Sequence, residues 1–425
     1  MDYIRRDKYL NMLIDRKGNG LVKVITGIRR CGKSFLLFEI FYNYLLESGV
    51  KPENIITIAL DDDRYSELRD CGKLSEYIRS RVVDDNGMYY VLIDEVQYAI
   101  TRAEMKNPEE IRLYNVLNGL MHLKNVDIYV TGSNSKLLSR DVMTAFRGRG
   151  DTVEVYPLTF KEYYDYVGGD RSEAYENYSL YGGMPFTLFR KSDEDKARYL
   201  SELFTEVYFK DIVERYRIKL PEILGELTDD LCSSVGSLTN PSKIARTIAS
   251  TKGIKVDSET VSGYLNCLTE SFLFRCAKRY DVKGKKYFDY PSKYYCADVG
   301  LRNSRLNFRQ QEPTHIMENI IYNELIYRGY SVDVGVVPVR SEDGASSCEI
   351  DFVANMGSRR IYIQSAFSMD SDEKAETELR SLRSVNDFFK KVVVSGLYGK
   401  AWYDEQGILH MGLYEFLLNE NSLNI

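Results

Sequence analysis

The feature that most constrains this 425-residue chain is one octapeptide, Gly27-Ile28-Arg29-Arg30-Cys31-Gly32-Lys33-Ser34. It lies between a short apolar run, Val22 to Thr26, and a stretch of helical character that starts near Lys33. The octapeptide fits G-x-x-x-x-G-K-[ST] in full, and strand before with helix after is the context that gives the pattern its meaning. Its glycines let backbone N–H groups curl around phosphate oxygens, and the helix N-terminus adds positive potential. Lys33 is suited to reach the β/γ phosphates and Ser34 to ligate Mg²⁺. The expected ligands are ATP and Mg²⁺, contacted by Gly27, Ile28, Arg29, Arg30, Cys31, Gly32, Lys33, Ser34 and Phe35.

A second element completes the expectation. Tyr89-Tyr90-Val91-Leu92-Ile93-Asp94-Glu95 is an apolar run that ends in two carboxylates. Asp94 is expected to hold the magnesium, and Glu95 to act as general base on the attacking water. Tyr129-Val130-Thr131-Gly132-Ser133-Asn134 is another apolar run with a polar end, where Asn134, or else Ser133, is the expected sensor of the γ-phosphate. Arg147 and Arg149, in Phe146-Arg147-Gly148-Arg149, follow a helical stretch. A guanidinium there either neutralises transition-state charge at a neighbouring subunit's site or forms an ordinary surface ion pair.

The order of apolar runs, Leu21 to Thr26, Ile55 to Leu60, Tyr89 to Ile93 and Val126 to Thr131, with helical stretches between, predicts a parallel α/β sheet. At this length the chain is expected to hold roughly two to four domains. Residues 1–156 read as the nucleotide-binding core and 157–220 as a helical lid. Residues 221–305 read as a winged-helix-like domain, because Asn240-Pro241 and Asp257-Ser258 open two helices and a Tyr- and Lys-rich ribbon follows. Residues 306–425 read as a separate α/β unit.

Composition excludes other chemistries. Three histidines are too few for a histidine-based metal hydrolase or a Ser-His-Asp hydrolase. Seven scattered cysteines, none in C-x-x-C spacing, indicate neither a disulfide framework nor a zinc site. No run nears the roughly 20 apolar residues that span a bilayer, and the start of the chain is charged, so a cytoplasmic protein without membrane attachment is expected. The net charge of -6 argues against whole-surface binding of nucleic acid and leaves room for a local basic patch.

The blocks Gly27 to Ser34, Leu92 to Gln97, Thr131 to Leu138 and Phe146 to Arg149, with Gly182-Gly183-Met184-Pro185 and Tyr208 to Ile212, resemble one family. It is the prokaryotic AAA-type ATPases with a C-terminal domain of unknown function, built from a winged helix and a restriction-endonuclease-like fold. The resemblance implies AAA+ topology and homo-oligomer formation, without fixing a substrate. It also implies a nuclease-type metal site, in which Glu318 matches the helix glutamate and Asp351 the strand-end aspartate. Where the pattern needs a carboxylate and a lysine, the chain has Gln364 and Ala366. A neutral amide binds a hard cation poorly and alanine cannot activate water, so no nuclease activity is expected.

The ribbon from Arg275 to Lys293 carries Arg275, Lys278, Arg279, Lys283, Lys285, Lys286 and Lys293 among four aromatic residues. It reads either as a phosphate-contacting wing for DNA or as a lysine-coated, solvated hairpin. The helix before it offers Ser258, Glu259, Ser262 and Asn266, which are poor readers of base sequence. Two function classes stay open: a DNA-associated ATPase, and a nucleotide-switched signalling or defence protein whose C-terminal half docks a protein.

Overall fold

The computed structural model describes residues 3–83, 87–101, 103–104, 111–132, 150–341 and 344–425. They form two compact units, Met1–Pro157 with Glu270–Phe272, and Leu158–Thr269 with Leu273–Ile425.

The first unit is built on five strands: β1 (Val22–Thr26), β2 (Ile55–Ala59), β3 (Tyr89–Asp94), β4 (Val126–Thr131) and β5 (Gly150–Glu154). All neighbours are parallel and the order is β2-β3-β4-β1-β5. Parallel strands covered on both faces carry continuous apolar runs, and Val24, Ile58, Val91, Leu92, Ile93 and Val130 are fully buried. The α/β reading of this region is therefore correct, and the expected strand positions hold to within a residue at each end. β5 is an additional strand. The register pairs Ile25 with Thr131 and Ile93 with Val130, which brings the carboxyl ends of β1, β3 and β4 level. Ligands of open parallel sheets sit at such an edge.

The second unit is helical from Phe160 to Tyr216, in the segment expected as a lid. Its aromatic side chains, including Phe160, Tyr163, Tyr175 and Tyr178, share a core with Tyr414 and the helix Pro313–Tyr327. Nine strands follow: β6 (Leu238–Thr239), β7 (Phe274–Asp281), β8 (Lys286–Cys296), β9 (Ser331–Ser341), β10 (Gly344–Met356), β11 (Arg359–Ala366), β12 (Lys390–Ser395), β13 (Trp402–Tyr403) and β14 (Leu409–Met411). They make one sheet in the order β13-β14-β12-β11-β10-β9-β7-β8-β6. The helix Pro313–Tyr327 packs on one face and the helix Asp372–Arg383 on the other. The basic ribbon is thus part of the sheet interior order: β7 and β8 are antiparallel to each other, and β7 also pairs parallel with β9. Among the described residues no helix is long and apolar enough to cross a membrane.

Candidate nucleotide site and a second charged cluster

The loop after β1 bends through Gly27 at φ 136°, Arg30 at φ 64° and Gly32 at φ 100°. Gly27 admits no side chain, since a Cβ there would lie 2.1 Å from the Val155 carbonyl oxygen. Ile28 and Cys31 are buried beneath the loop, and the Cys31 thiol, its pKa raised by burial, donates to that same carbonyl at 3.4 Å. Arg6 ties the loop down by donating to the Cys31 carbonyl at 3.5 Å and the Tyr156 carbonyl at 2.6 Å. The helix then starts at Lys33 and runs on through Leu36–Phe41, where it widens to π geometry, to Glu47. Lys33 is buried, and its ammonium lies within the curl, donating to the carbonyls of Gly27 and Ile28 at 3.0 Å each. Arg30, Ser34 and Phe35 are exposed, and Arg29 is half-buried.

Asp94, the last residue of β3, is 4% exposed. Its carboxylate accepts a hydrogen bond from the Thr131 hydroxyl, and the Ser34 hydroxyl lies near enough to favour its ionised form. Burial pushes its carboxyl above the usual range, and the two hydroxyls offset part of that cost. Ser34 thus lies near the acidic strand end, although β1 and β3 are two places apart in the sheet. Glu95 follows in left-handed backbone, φ 53° and ψ 49°, which costs on the order of 1 kcal/mol for a non-glycine residue. Its N–H donates to the Thr131 hydroxyl at 3.1 Å, and its carboxylate accepts from the Gln97 amide.

Thr131 therefore serves both acids, donating to one and accepting from the backbone of the other. The sequence reading passed over it because a threonine closing a strand looks like the start of a turn. The place of Thr131 at the end of the run Ile128 to Val130 is visible in the sequence, but that this end lies beside Asp94 is not. Asn134, Ser133, Arg147 and Arg149 lie outside the described residues.

A second charged group gathers in the C-terminal unit. Glu318 of the helix Pro313–Tyr327 and Asp351 of β10 come together around Lys293, a residue that the nuclease motif does not include. The Lys293 ammonium of β8 lies 3.0 Å from Glu318, 2.9 Å from Glu349 and 3.5 Å from Asp351. Burial alone would lower the Lys293 pKa, yet the three carboxylates outweigh it and raise it well above its ordinary value. Tyr295 donates to Glu318 at 2.7 Å, and the Ser365 N–H donates to Asp351 at 2.9 Å. Gln364 is engaged by the helix Asp372–Arg383, donating to Glu378 at 3.0 Å and accepting from the Ser381 hydroxyl at 3.4 Å. Ala366 lies in the apolar core on that side.

These positions correct the basic ribbon. Lys293 is buried with carboxylates and is not a solvent-facing cation, so it cannot contact phosphate. The solvent-exposed lysines of the ribbon are Lys278, Lys283, Lys285 and Lys286, the last three in and beside the β7–β8 turn. Lys293 had one sign in the sequence: it stands beside Tyr294-Tyr295, an aromatic pair that buries.

Residues 19–164 match a family model described as an AAA domain, and residues 172–312 match one described as a domain of unknown function, DUF8612. An uncharacterized protein of Haemophilus influenzae is 34% identical over 401 residues, 93% of this chain and 94% of that one. The uncharacterized protein MJ1544 of Methanocaldococcus jannaschii is 25% identical over 376 residues, 85% of this chain and 77% of its own. Among solved structures, the Walker-type ATPase PABY2304 of Pyrococcus abyssi aligns with a TM-score of 0.49 at 19% identity, over 72% of this chain and 96% of that one. The chain therefore belongs to one family with the Haemophilus influenzae protein, and it carries an AAA-type P-loop ATPase domain followed by a C-terminal domain of unknown function.

Proposed function

We propose that the first unit binds ATP with Mg²⁺ and hydrolyses it. The observation that carries this reading is the buried Lys33 ammonium inside the glycine loop, donating to the Gly27 and Ile28 carbonyls, with Asp94 buried at the end of β3 near the Ser34 hydroxyl. A hydroxyl and a carboxylate beside a phosphate-sized curl of backbone form an all-oxygen donor set, which suits a hard cation. Ser34 and Asp94 would hold Mg²⁺, which when bound neutralises phosphate charge. Lys33 turns its ammonium from the loop carbonyls to the β/γ phosphates of ATP. Thr131 fixes the orientation of Asp94 and anchors the backbone of Glu95. Glu95 takes a proton from the attacking water, and Gln97 holds its carboxylate in place. Asn134 contacts the γ-phosphate, and Arg147 or Arg149 serves a neighbouring subunit of a homo-oligomer.

We further propose that the C-terminal unit associates with DNA and does not cut it. The exposed cluster of Lys278, Lys283, Lys285 and Lys286, with exposed Tyr287 and Tyr290, favours phosphate and stacking contacts. The succession of the helix Pro221–Ser233, β6, the helices Pro241–Lys252 and Ser258–Glu270, β7 and β8 supports the winged-helix reading. The helix Ser258–Glu270 exposes Glu259 and Asn266 without a lysine or arginine, which favours binding that is indifferent to sequence. Binding of a fluorescent ATP analogue, with and without Mg²⁺, tests the first proposal. Mg²⁺-dependent binding that is lost in Lys33→Ala supports it, and undiminished binding in that variant contradicts it. Hydrolysis that rises with DNA and falls back with added salt supports the second proposal. Hydrolysis indifferent to DNA points instead to a protein partner.

A further inference from the structure

The Lys293 cluster belongs to neither proposal above. Glu318 comes from the helix Pro313–Tyr327 and Glu349 and Asp351 from β10, and all three lie against a single ammonium. Lys293 is 4% exposed, Glu318 7% and Asp351 9%. Three carboxylates against one ammonium leave the group acidic, and a buried carboxylate is retained only where a cation or a donor meets it. The surroundings are shaped to the cluster. Gly236 stands where an added Cβ would come within 3.0 Å of a Glu318 carboxylate oxygen. A further donor is left over: the Ser365 hydroxyl is buried and has no hydrogen-bond partner. By strand alternation it shares the face of Ile361 and Ile363, which pack in one core with Ile316 and Met317 of the helix that carries Glu318.

Distances decide which cation the cluster is built for. Its carboxylate oxygens stand 2.9–3.5 Å from Nζ. That is ammonium hydrogen-bond range, whereas bound Mg²⁺ or Ca²⁺ needs oxygens at about 2.0–2.6 Å. Among the described residues, no three acidic, cysteine or histidine side chains are already set to hold a metal. We propose that Lys293 is the resident cation of a latent divalent-metal seat formed by Glu318, Glu349 and Asp351, so that its ammonium keeps metal out and its removal lets metal in. Without the ammonium, the three carboxylates repel one another until a divalent ion draws them inward, and the Ser365 hydroxyl supplies a fourth oxygen. This cluster is then closed to metal by its own lysine, whether or not the P-loop reading holds.

The test uses full-length protein without nucleotide, melted with and without millimolar Mn²⁺. Lys293→Met should melt about 10 °C below wild type, because a buried charge loses its partner, and Mn²⁺ should restore at least half of that loss. Wild type should not respond to Mn²⁺ at this site, and Mn²⁺ electron paramagnetic resonance should give equal binding for wild type and Asp351→Asn. A combined variant, Lys293→Met with Glu349→Gln and Asp351→Asn, should melt near wild type and ignore Mn²⁺. The proposal is overturned if Mn²⁺ fails to raise Lys293→Met, whether that variant is folded or recovered only as aggregate. It is equally overturned if wild type binds Mn²⁺ that Asp351→Asn does not, or if the combined variant stays as unstable as the single one.

Discussion

Asp94→Asn separates what this residue does for the fold from what it does for the nucleotide. The amide has the size of the carboxylate, so packing at this 4% exposed position is kept. Burial raises the pKa of the native carboxyl, so the ionised form is less favourable folded than unfolded, and a neutral side chain relieves that cost. The Thr131 hydroxyl can still donate to the amide oxygen, with the loss of a few tenths of a kcal/mol of charge assistance, by rough estimate. Without ligand the variant should therefore melt at or above the wild-type temperature. With Mg²⁺ and ATP the sign reverses. At a ligand concentration 100 times Kd, wild type gains about 2.7 kcal/mol, or about 5–10 °C for a unit of this size. A 10- to 100-fold loss of affinity for the metal complex leaves only about 0.4–1.4 kcal/mol of that gain, about 1–5 °C. Differential scanning fluorimetry with ATP alone and with Mg²⁺-ATP reads both effects. An undiminished Mg²⁺-ATP shift, or a ligand-free melting temperature well below wild type, would refute the reasoning.

Other substitutions probe separate parts. Gly27→Ala places a Cβ 2.1 Å from a backbone oxygen at a φ of 136°, and it should cost about 3 kcal/mol or more and abolish ATP binding; chemical denaturation of the purified variant measures it. Thr131→Val leaves the Glu95 N–H without its acceptor and Asp94 without a donor, which should destabilise by about 1–3 kcal/mol and slow turnover at least tenfold by rough estimate, read from steady-state phosphate release. Asp298 is fully buried, and burial pushes its carboxyl up to about 6 despite N–H bonds from Gly183 and Leu301. A folded pKa above the unfolded value near 3.8 means the native state binds the extra proton, so this group's contribution to stability falls as pH rises from about 4 to 6 and is level above that. Relative to Asp298→Asn, wild type should gain about 2 kcal/mol between pH 7 and pH 4, by denaturation at both. Replacing Lys278, Lys283, Lys285 and Lys286 together by Ala should lower the slope of log K for DNA against log salt by about 3–4; an unchanged slope places the contact elsewhere.

Much of the first unit was legible because its interior strands have no solvent face. Val22 to Thr26, Tyr89 to Asp94 and Val126 to Thr131 are runs of Val, Ile, Leu and Tyr that stop at a polar turn, and burial on both faces permits little else. β5 escaped notice because it is an edge strand, paired only with β1, and Gly150-Asp151-Thr152-Val153-Glu154 offers one large apolar side chain. The second unit was less legible. Its sheet closes by joining β7 to β9 in parallel across more than 50 residues of sequence, by the registers that pair Arg279 with Val334, and local periodicity carries no trace of such a pairing. The same sheet buries Lys293, so a charge that reads as solvated in the sequence is an interior ion pair in the structure. In the nucleotide site, the glycines, Lys33, Ser34, Asp94 and Glu95 could be read from residue type and spacing. Thr131 and Gln97 could not, because their roles depend on which strand ends lie side by side.

Glu95→Gln is the direct measurement of whether the first unit splits ATP as described. Phosphate release and retained nucleotide should be followed on the same sample of wild type and variant with Mg²⁺-ATP. If Glu95 is the base, the variant keeps ATP bound at wild-type affinity and releases phosphate at least 100-fold more slowly by rough estimate. Equal phosphate release by the two proteins would contradict the assignment of Glu95 and the site built around it.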